Sequence, residues 1–231
     1  MTERPAAMAD ERELAEQQSE LAHALRSKRF RKRSLVIVLE GMDAAGKSSA
    51  TKRVIVTMDP RQYRIVPIGA PSPEELAHPY LWRFWNALPG SGAVSIFDRS
   101  WYGRVLVERV RRFSPPADWS RAYAEIAEFE RQLVERGAVL AKFWFALSKA
   151  EQGRRFEQRQ QAPLKRFKVD PEDWTNREHW DEFQTAAADM LTLTHSPAAP
   201  WTLLPADDKP QARLALLRTL NQTLAAQLRR R

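Results

Sequence analysis

The chain has 231 residues, 43% of them hydrophobic, and sets 37 Lys and Arg against 29 Asp and Glu, a formal charge of +8. That length suits one α/β domain with a sizeable core, and the absence of cysteine excludes disulfides and thiolate metal sites. No uncharged apolar run approaches the ~18 residues of a membrane span, and the polar, partly acidic start is unlike a secretory signal, so a cytoplasmic chain with a polyanionic partner is expected.

In chain order, residues 1–33 read as a polar helical extension that ends in a basic run, Arg26, Lys28, Arg29, Arg31, Lys32 and Arg33. It is either a solvated flank or an outer contact for a polyanion. The pattern changes at residues 35–40, LVIVLE, a continuous apolar run rich in β-branched residues. Such a run suits a parallel strand covered on both faces. Similar runs follow at 63–68, 93–97 and 139–147, with a weaker one at 201–204. Helical stretches fall at 47–58, 73–87, 100–111, 118–136, 149–160, 173–194 and 208–229, and Gly137 stands where a helix ends. The alternation predicts a three-layer αβα fold with a mostly parallel five-stranded sheet over residues 34–231. Ligands of such folds bind at the carboxyl ends of the strands.

The first strand runs directly into GMDAAGKSS, so that Gly41, Gly46, Lys47 and Ser48 satisfy the P-loop spacing. In that motif the glycines allow backbone angles closed to other residues, and the amides of Ala44, Ala45, Gly46, Lys47, Ser48 and Ser49 converge on a phosphate. Lys47 adds a point charge, the helix start adds its dipole, and Ser48 can ligate Mg²⁺. Asp43 inside the loop is either a surface cap or a group that handles metal and the accepting phosphate. The third strand ends in FDRSWYGR. Asp98 there has the position of a Walker B carboxylate for Mg²⁺, and Arg99 can stabilise charge on a transferring phosphoryl group. Arg104 follows one turn later, as a phosphate contact or an ordinary ion-pair residue. Trp101 and Tyr102 are packing or stacking groups.

Residues 154–168 hold Arg154, Arg155, Arg159, Lys165, Arg166 and Lys168 against Glu157, with Pro163 breaking the helix. This predicts a basic helical lid over about residues 150–172 that closes on phosphates.

With these parts in place the chain resembles the polyphosphate kinase 2 family from about Leu35 to Leu220. The resemblance rests on LEGMDAAGKSS, on FDRSWYGRVLVERV, on the lid with Pro163-Leu164-Lys165 and Phe167-Lys168, and on APWTLLPADDKPQAR. It implies Mg²⁺-dependent transfer between inorganic polyphosphate and a nucleoside mono- or diphosphate, in a homo-oligomer, dimer or tetramer. It also implies that Asp43 and Asp98 handle metal and acceptor, that Lys47 and Arg99 bind phosphate, and that Arg155, Arg159, Lys165 and Lys168 form the basic lid. The family usually has Gly-Gly after the loop lysine, where this chain has Ser48-Ser49. FDRSWYGRVLVERV and HPYLWRFW are most similar to the polyphosphate:AMP phosphotransferase branch, which favours AMP to ADP, with ADP or GDP to the triphosphate as the alternative.

Two other readings stay open on the residues alone. One is a nucleotide or metabolite kinase that takes ATP as donor. The other is a non-catalytic nucleic-acid-binding P-loop protein, in which Phe156, Phe167 and Trp174 stack on bases. The basic cluster lies beside the Walker site and not on a separate face, which sets nucleic acid behind polyphosphate as the expected partner.

Overall fold

The computed structural model describes residues 3–163, 169 and 171–229, with side chains from residue 10 onward. Five strands form one sheet: β1 (Ser34–Gly41), β2 (Tyr63–Pro67), β3 (Val94–Asp98), β4 (Ala138–Ala146) and β5 (Trp201–Pro205). Their order is β2-β3-β1-β4-β5, and every neighbouring pair is parallel. The predicted three-layer fold and all five strands are present. β1 is central, and its residues from Leu35 to Glu40 are buried, as a run without polar alternation requires. The register sets Leu39 beside Asp98 and Gly41 beside Phe145, so the carboxyl ends of β1, β3 and β4 lie level.

The described helices are α1 (Glu3–Arg26), α2 (Lys47–Ile55), α3 (Pro73–Leu76), α4 (Trp82–Trp85), α5 (Val107–Val110), α6 (Pro116–Glu135), α7 (Lys149–Gln161), α8 (Pro171–Glu178), α9 (Trp180–Leu193) and α10 (Lys209–Arg229). The helix expected over 73–87 is two short ones. His78 precedes Pro79, whose ring disfavours helical angles in the residue before it. The helix expected over 100–111 is a 3-10 turn, Trp101–Arg104, followed by α5. The long helix expected over 173–194 turns at His179 into α8 and α9. Gly137, at φ 90°, closes α6 as its position suggested.

Two cores flank the sheet. One joins Leu35, Ile37 and Leu39 of β1 to α2 and α10, and it includes Leu21 and Leu25 of α1. The other joins Val36 and Val38 to Trp101, Tyr102, α6 and α9. The N-terminal segment is therefore a layer helix of the same core. Leu21 is fully buried, Asn221 donates to the Gln17 carbonyl at 2.9 Å, and Arg218 pairs with Glu13.

Candidate active site

β1 delivers the chain into the loop at Gly41, where φ is 142° and a Cβ would stand 2.8 Å from the Phe145 carbonyl oxygen. This glycine is needed for close approach to β4, whereas Gly46, at φ 108°, forms the left-handed entry to α2. Ala44 lies between them in the left-handed region at φ 61°. That conformation costs a non-glycine residue about 1 kcal/mol or more, so something must hold it.

The clamp comes from α7. The Arg155 guanidinium is 2% exposed. Its Nη1 donates to the carbonyls of Ala44 (3.0 Å) and Ala45 (3.3 Å), its Nη2 to those of Ala206 (2.6 Å) and Asp207 (3.0 Å), and its Nε to Glu151 (2.7 Å). All five N–H groups of the fork are engaged. Gln152 donates to the Asp43 carbonyl at 3.1 Å. Three successive loop carbonyls are thus drawn to the α7 side; the Ala45 amide turns back to the Met42 carbonyl (3.2 Å) and the Ser49 amide to that of Gly46 (3.1 Å), which leaves the amides of Gly46, Lys47 and Ser48 to face an anion. Arg155 is a strut beneath the loop and has no donor left for polyphosphate, contrary to its expected place among the lid contacts. Arg154 is likewise paired, with Glu151 at 2.5 Å.

Above the loop, Lys47 is 7% exposed and donates to the carbonyls of Gly41 (2.6 Å) and Met42 (3.2 Å). An ammonium has three donors, so one remains for a ligand. Burial lowers its proton affinity, and Asp43 opposes that. The Asp43 carboxylate receives Arg99 at 2.7 Å on one oxygen and Asn176 of α8 at 3.0 Å on the other. Burial alone would raise this carboxyl, but Lys47, Arg99 and the Asn176 hydrogen bond hold it below the usual range, as a carboxylate. Arg99 is itself left-handed, at φ 63°, so strained backbone lies at one member of this pair and at Ala44, next to the other. Beneath them Glu40, 3% exposed, accepts the Ser100 hydroxyl at 2.7 Å. Ser100 caps the following turn by accepting the Tyr102 amide.

Asp43, Ala44, Ala45, Gly46, Lys47, Ser48, Ser49, Asp98, Arg99 and Arg159 line one cavity of about 650 Å³. Arg104 is not among them. It pairs with Glu108 (2.9 Å), donates to Ser114 (3.1 Å) and covers the Tyr80 ring at 4.5 Å, so it is an ion-pair residue and not the phosphate contact expected. Lys165 and Lys168 lie outside the described residues, as do Arg166 and Phe167. Trp101 and Tyr102 are fully buried packing groups. Phe156 is buried against Trp174, with ring centroids 5.1 Å apart, which removes it as a stacking platform for bases.

Four contributors escaped the sequence reading. Lys209 and Arg213 of α10 line the same cavity, and APWTLLPADDKPQAR, quoted for the resemblance, contains both. Asn176, just beyond the expected lid, and Gln152, at its start, carried no signal of their own.

A divalent cation of the Mg²⁺ type takes oxygen ligands and keeps several of its waters, held by one or two carboxylates and substrate phosphates. The Ser48 hydroxyl lies 3.1 Å from Asp98 Oδ2, beside the loop amides and open to the cavity. This oxygen pair fits such an ion. Among the described residues no group of three or more His, Cys, Asp or Glu could hold a metal by itself. No helix among them is long and apolar enough to cross a membrane.

Comparison with known proteins bears on this geometry. The polyphosphate:AMP phosphotransferase of Pseudomonas aeruginosa is 54% identical over 214 residues, 93% of this chain and 43% of the relative. The ADP-polyphosphate phosphotransferase of the same organism is 40% identical over 190 residues, 82% of this chain and 62% of the relative. A solved structure described as a polyphosphate kinase 2 of P. aeruginosa superposes with a TM-score of 0.93 at 53% identity, covering 95% of this chain and 48% of that one. The chain spans less than half the length of the first of these relatives. The family profile for polyphosphate kinase 2 (PPK2) matches residues 6–231, and with the loop, the strand-end acid and the paired arginine in one cavity, the chain belongs to the polyphosphate kinase 2 family.

Proposed function

We propose that this chain transfers a phosphoryl group between inorganic polyphosphate and a nucleoside phosphate, with AMP, converted to ADP, the favoured acceptor. The observation that carries the reading is the convergence of the phosphate loop, Lys47, the Arg99–Asp43 pair and the Ser48–Asp98 pair on one cavity. The nucleotide preference follows the name of the P. aeruginosa relative at 54% identity. Mg²⁺ at Ser48 and Asp98 would neutralise phosphate charge. A non-bridging oxygen of the AMP phosphate attacks the terminal phosphorus of the donor. The anhydride P–O bond breaks, and the electron pair leaves with the shortened polyphosphate. The acceptor is already an anion near neutral pH, so no base is required. Asp43 holds Arg99 in line, while Lys47 and the loop amides hold the donor.

The test is to incubate the protein with Mg²⁺ and polyphosphate, adding AMP, ADP, GMP or GDP separately, and to identify the products. ADP formed faster from AMP than ATP from ADP is expected. Unchanged nucleotides in every tube, with phosphorylation once ATP is supplied as donor, would turn the assignment to the ATP-dependent kinase. The same preparation, weighed by sedimentation, reads the homo-oligomer that the family implies.

A further inference from the structure

The cations expected to hold the donor sat on the lid, yet Arg154 and Arg155 are taken up by Glu151 and by carbonyls. Two others line the cavity from α10. Asp208 accepts the Gln211 amide at 3.0 Å and starts α10, placing Lys209 and Arg213 one turn apart on the cavity side. Arg213 donates to Ser49 Oγ at 3.3 Å, and its buried Nε has no hydrogen-bond partner. Lys209 has no ion pair or hydrogen bond among the described residues. Burial and then the neighbouring Arg155 and Arg159 lower its proton affinity, and Glu151, the acid opposing them, is already shared. Burial, Arg53 and Arg155 do the same to Arg213, with no acid in opposition. Asp173 on the cavity wall is set against Arg159. Like charges gathered beside carboxylates already shared with other cations raise the energy of the ligand-free protein, and an anion lowers it.

We propose that Lys209 and Arg213 form a second anion subsite, which binds internal phosphates of the polyphosphate donor beyond the group being transferred. Ser49 joins the two subsites. Its own residue belongs to the loop, and its hydroxyl accepts Arg213. A chain lying on the loop amides therefore continues across the first turn of α10. A short donor fills the loop and ends before reaching Arg213. This inference deepens the function proposed above and rests on it.

The experiment compares Lys209→Gln, Arg213→Gln and the double variant with the wild-type protein, using long-chain polyphosphate and tripolyphosphate as alternative donors. For the double variant the KM for the long chain should rise about tenfold or more, the loss expected for charge-assisted hydrogen bonds. The KM for tripolyphosphate should move far less. The rise of long-chain KM with added salt should also flatten, because fewer screened contacts remain. Arg213→Lys keeps the charge and should keep most of the long-chain affinity, which separates loss of a subsite from loss of folding. Equal effects on both donors would place the two residues in the transfer centre, and no effect on either would remove the subsite. If the wild-type protein draws phosphoryl only from ATP, the parent reading fails first. Titration of long-chain polyphosphate alone then decides the subsite, and equal affinity of wild type and double variant would overturn it.

Discussion

Arg155 shows how one side chain can sit in the expected place and do different work. An arginine in a run of cations reads as an exposed contact, but its five donors all point inward, and four of them meet carbonyls at the loop and at the end of β5. Arg155→Met would leave those buried acceptors unpaired, while Glu151 would keep only Arg154. A loss of about 3–5 kcal/mol of stability is expected, measured by urea unfolding, together with loss of activity from the released loop. A stable variant with normal activity would show that the loop keeps its shape unaided. Glu40 supplies a second test at this scale. Burial raises its carboxyl from 4.5 to about 7, against the Ser100 hydrogen bond and the charges of Lys47 and Arg99. Between those values the folded protein keeps a proton that the unfolded chain has released. Its contribution is therefore complete below pH 4.5 and fades as pH rises through 7. Glu40→Gln should abolish up to about 3 kcal/mol of that decline. Parallel stability–pH curves for variant and parent would contradict this.

Among the elements, the strands were legible because parallel strands buried on both faces are apolar along most of their length, as β1 and β4 are apart from Glu40 and Lys142. The loop was legible because its spacing follows such a strand. What stayed hidden were contacts between residues far apart in the chain: Arg155 to Ala44, Asn176 to Asp43, Arg213 to Ser49. No local periodicity encodes these. One hidden feature did leave a trace. Lys142 interrupts the apolar run of β4, and it is buried, 2.6 Å from Glu130 of α6 and 2.8 Å from the Thr194 carbonyl. Glu130 also accepts Tyr102 (2.5 Å) and Trp101 (3.0 Å), so the pair braces the segment that follows Arg99 against the sheet. Burial pushes Glu130 up and Lys142 down, and each restrains the other. Lys142→Met alone should cost about 3–5 kcal/mol, because it strands a buried carboxylate. Adding Glu130→Gln should recover part of that loss. A double variant as unstable as the sum of the two singles would deny the coupling.

For the whole molecule, the question is whether the N-terminal helix serves the fold or the ligand. Its basic tail invited the second view, but the packing supports the first. Leu21 and Leu25 are buried in the core shared with Leu35, Ile37, Leu217 and Leu220. Arg26 donates to the carbonyls of Ala22 and Thr57. Among the described residues of α1, none lines the cavity that holds the phosphate loop. Leu21→Ala should therefore lower stability by about 2–5 kcal/mol, the usual cost of emptying a buried leucine site. Activity per folded molecule and the KM for polyphosphate should stay as in the parent, at a temperature where both are folded. Neutralising Arg29 and Arg31 instead should change neither quantity. If those two changes raised the polyphosphate KM while Leu21→Ala left stability intact, α1 would be a ligand contact resting on a core that is complete without it.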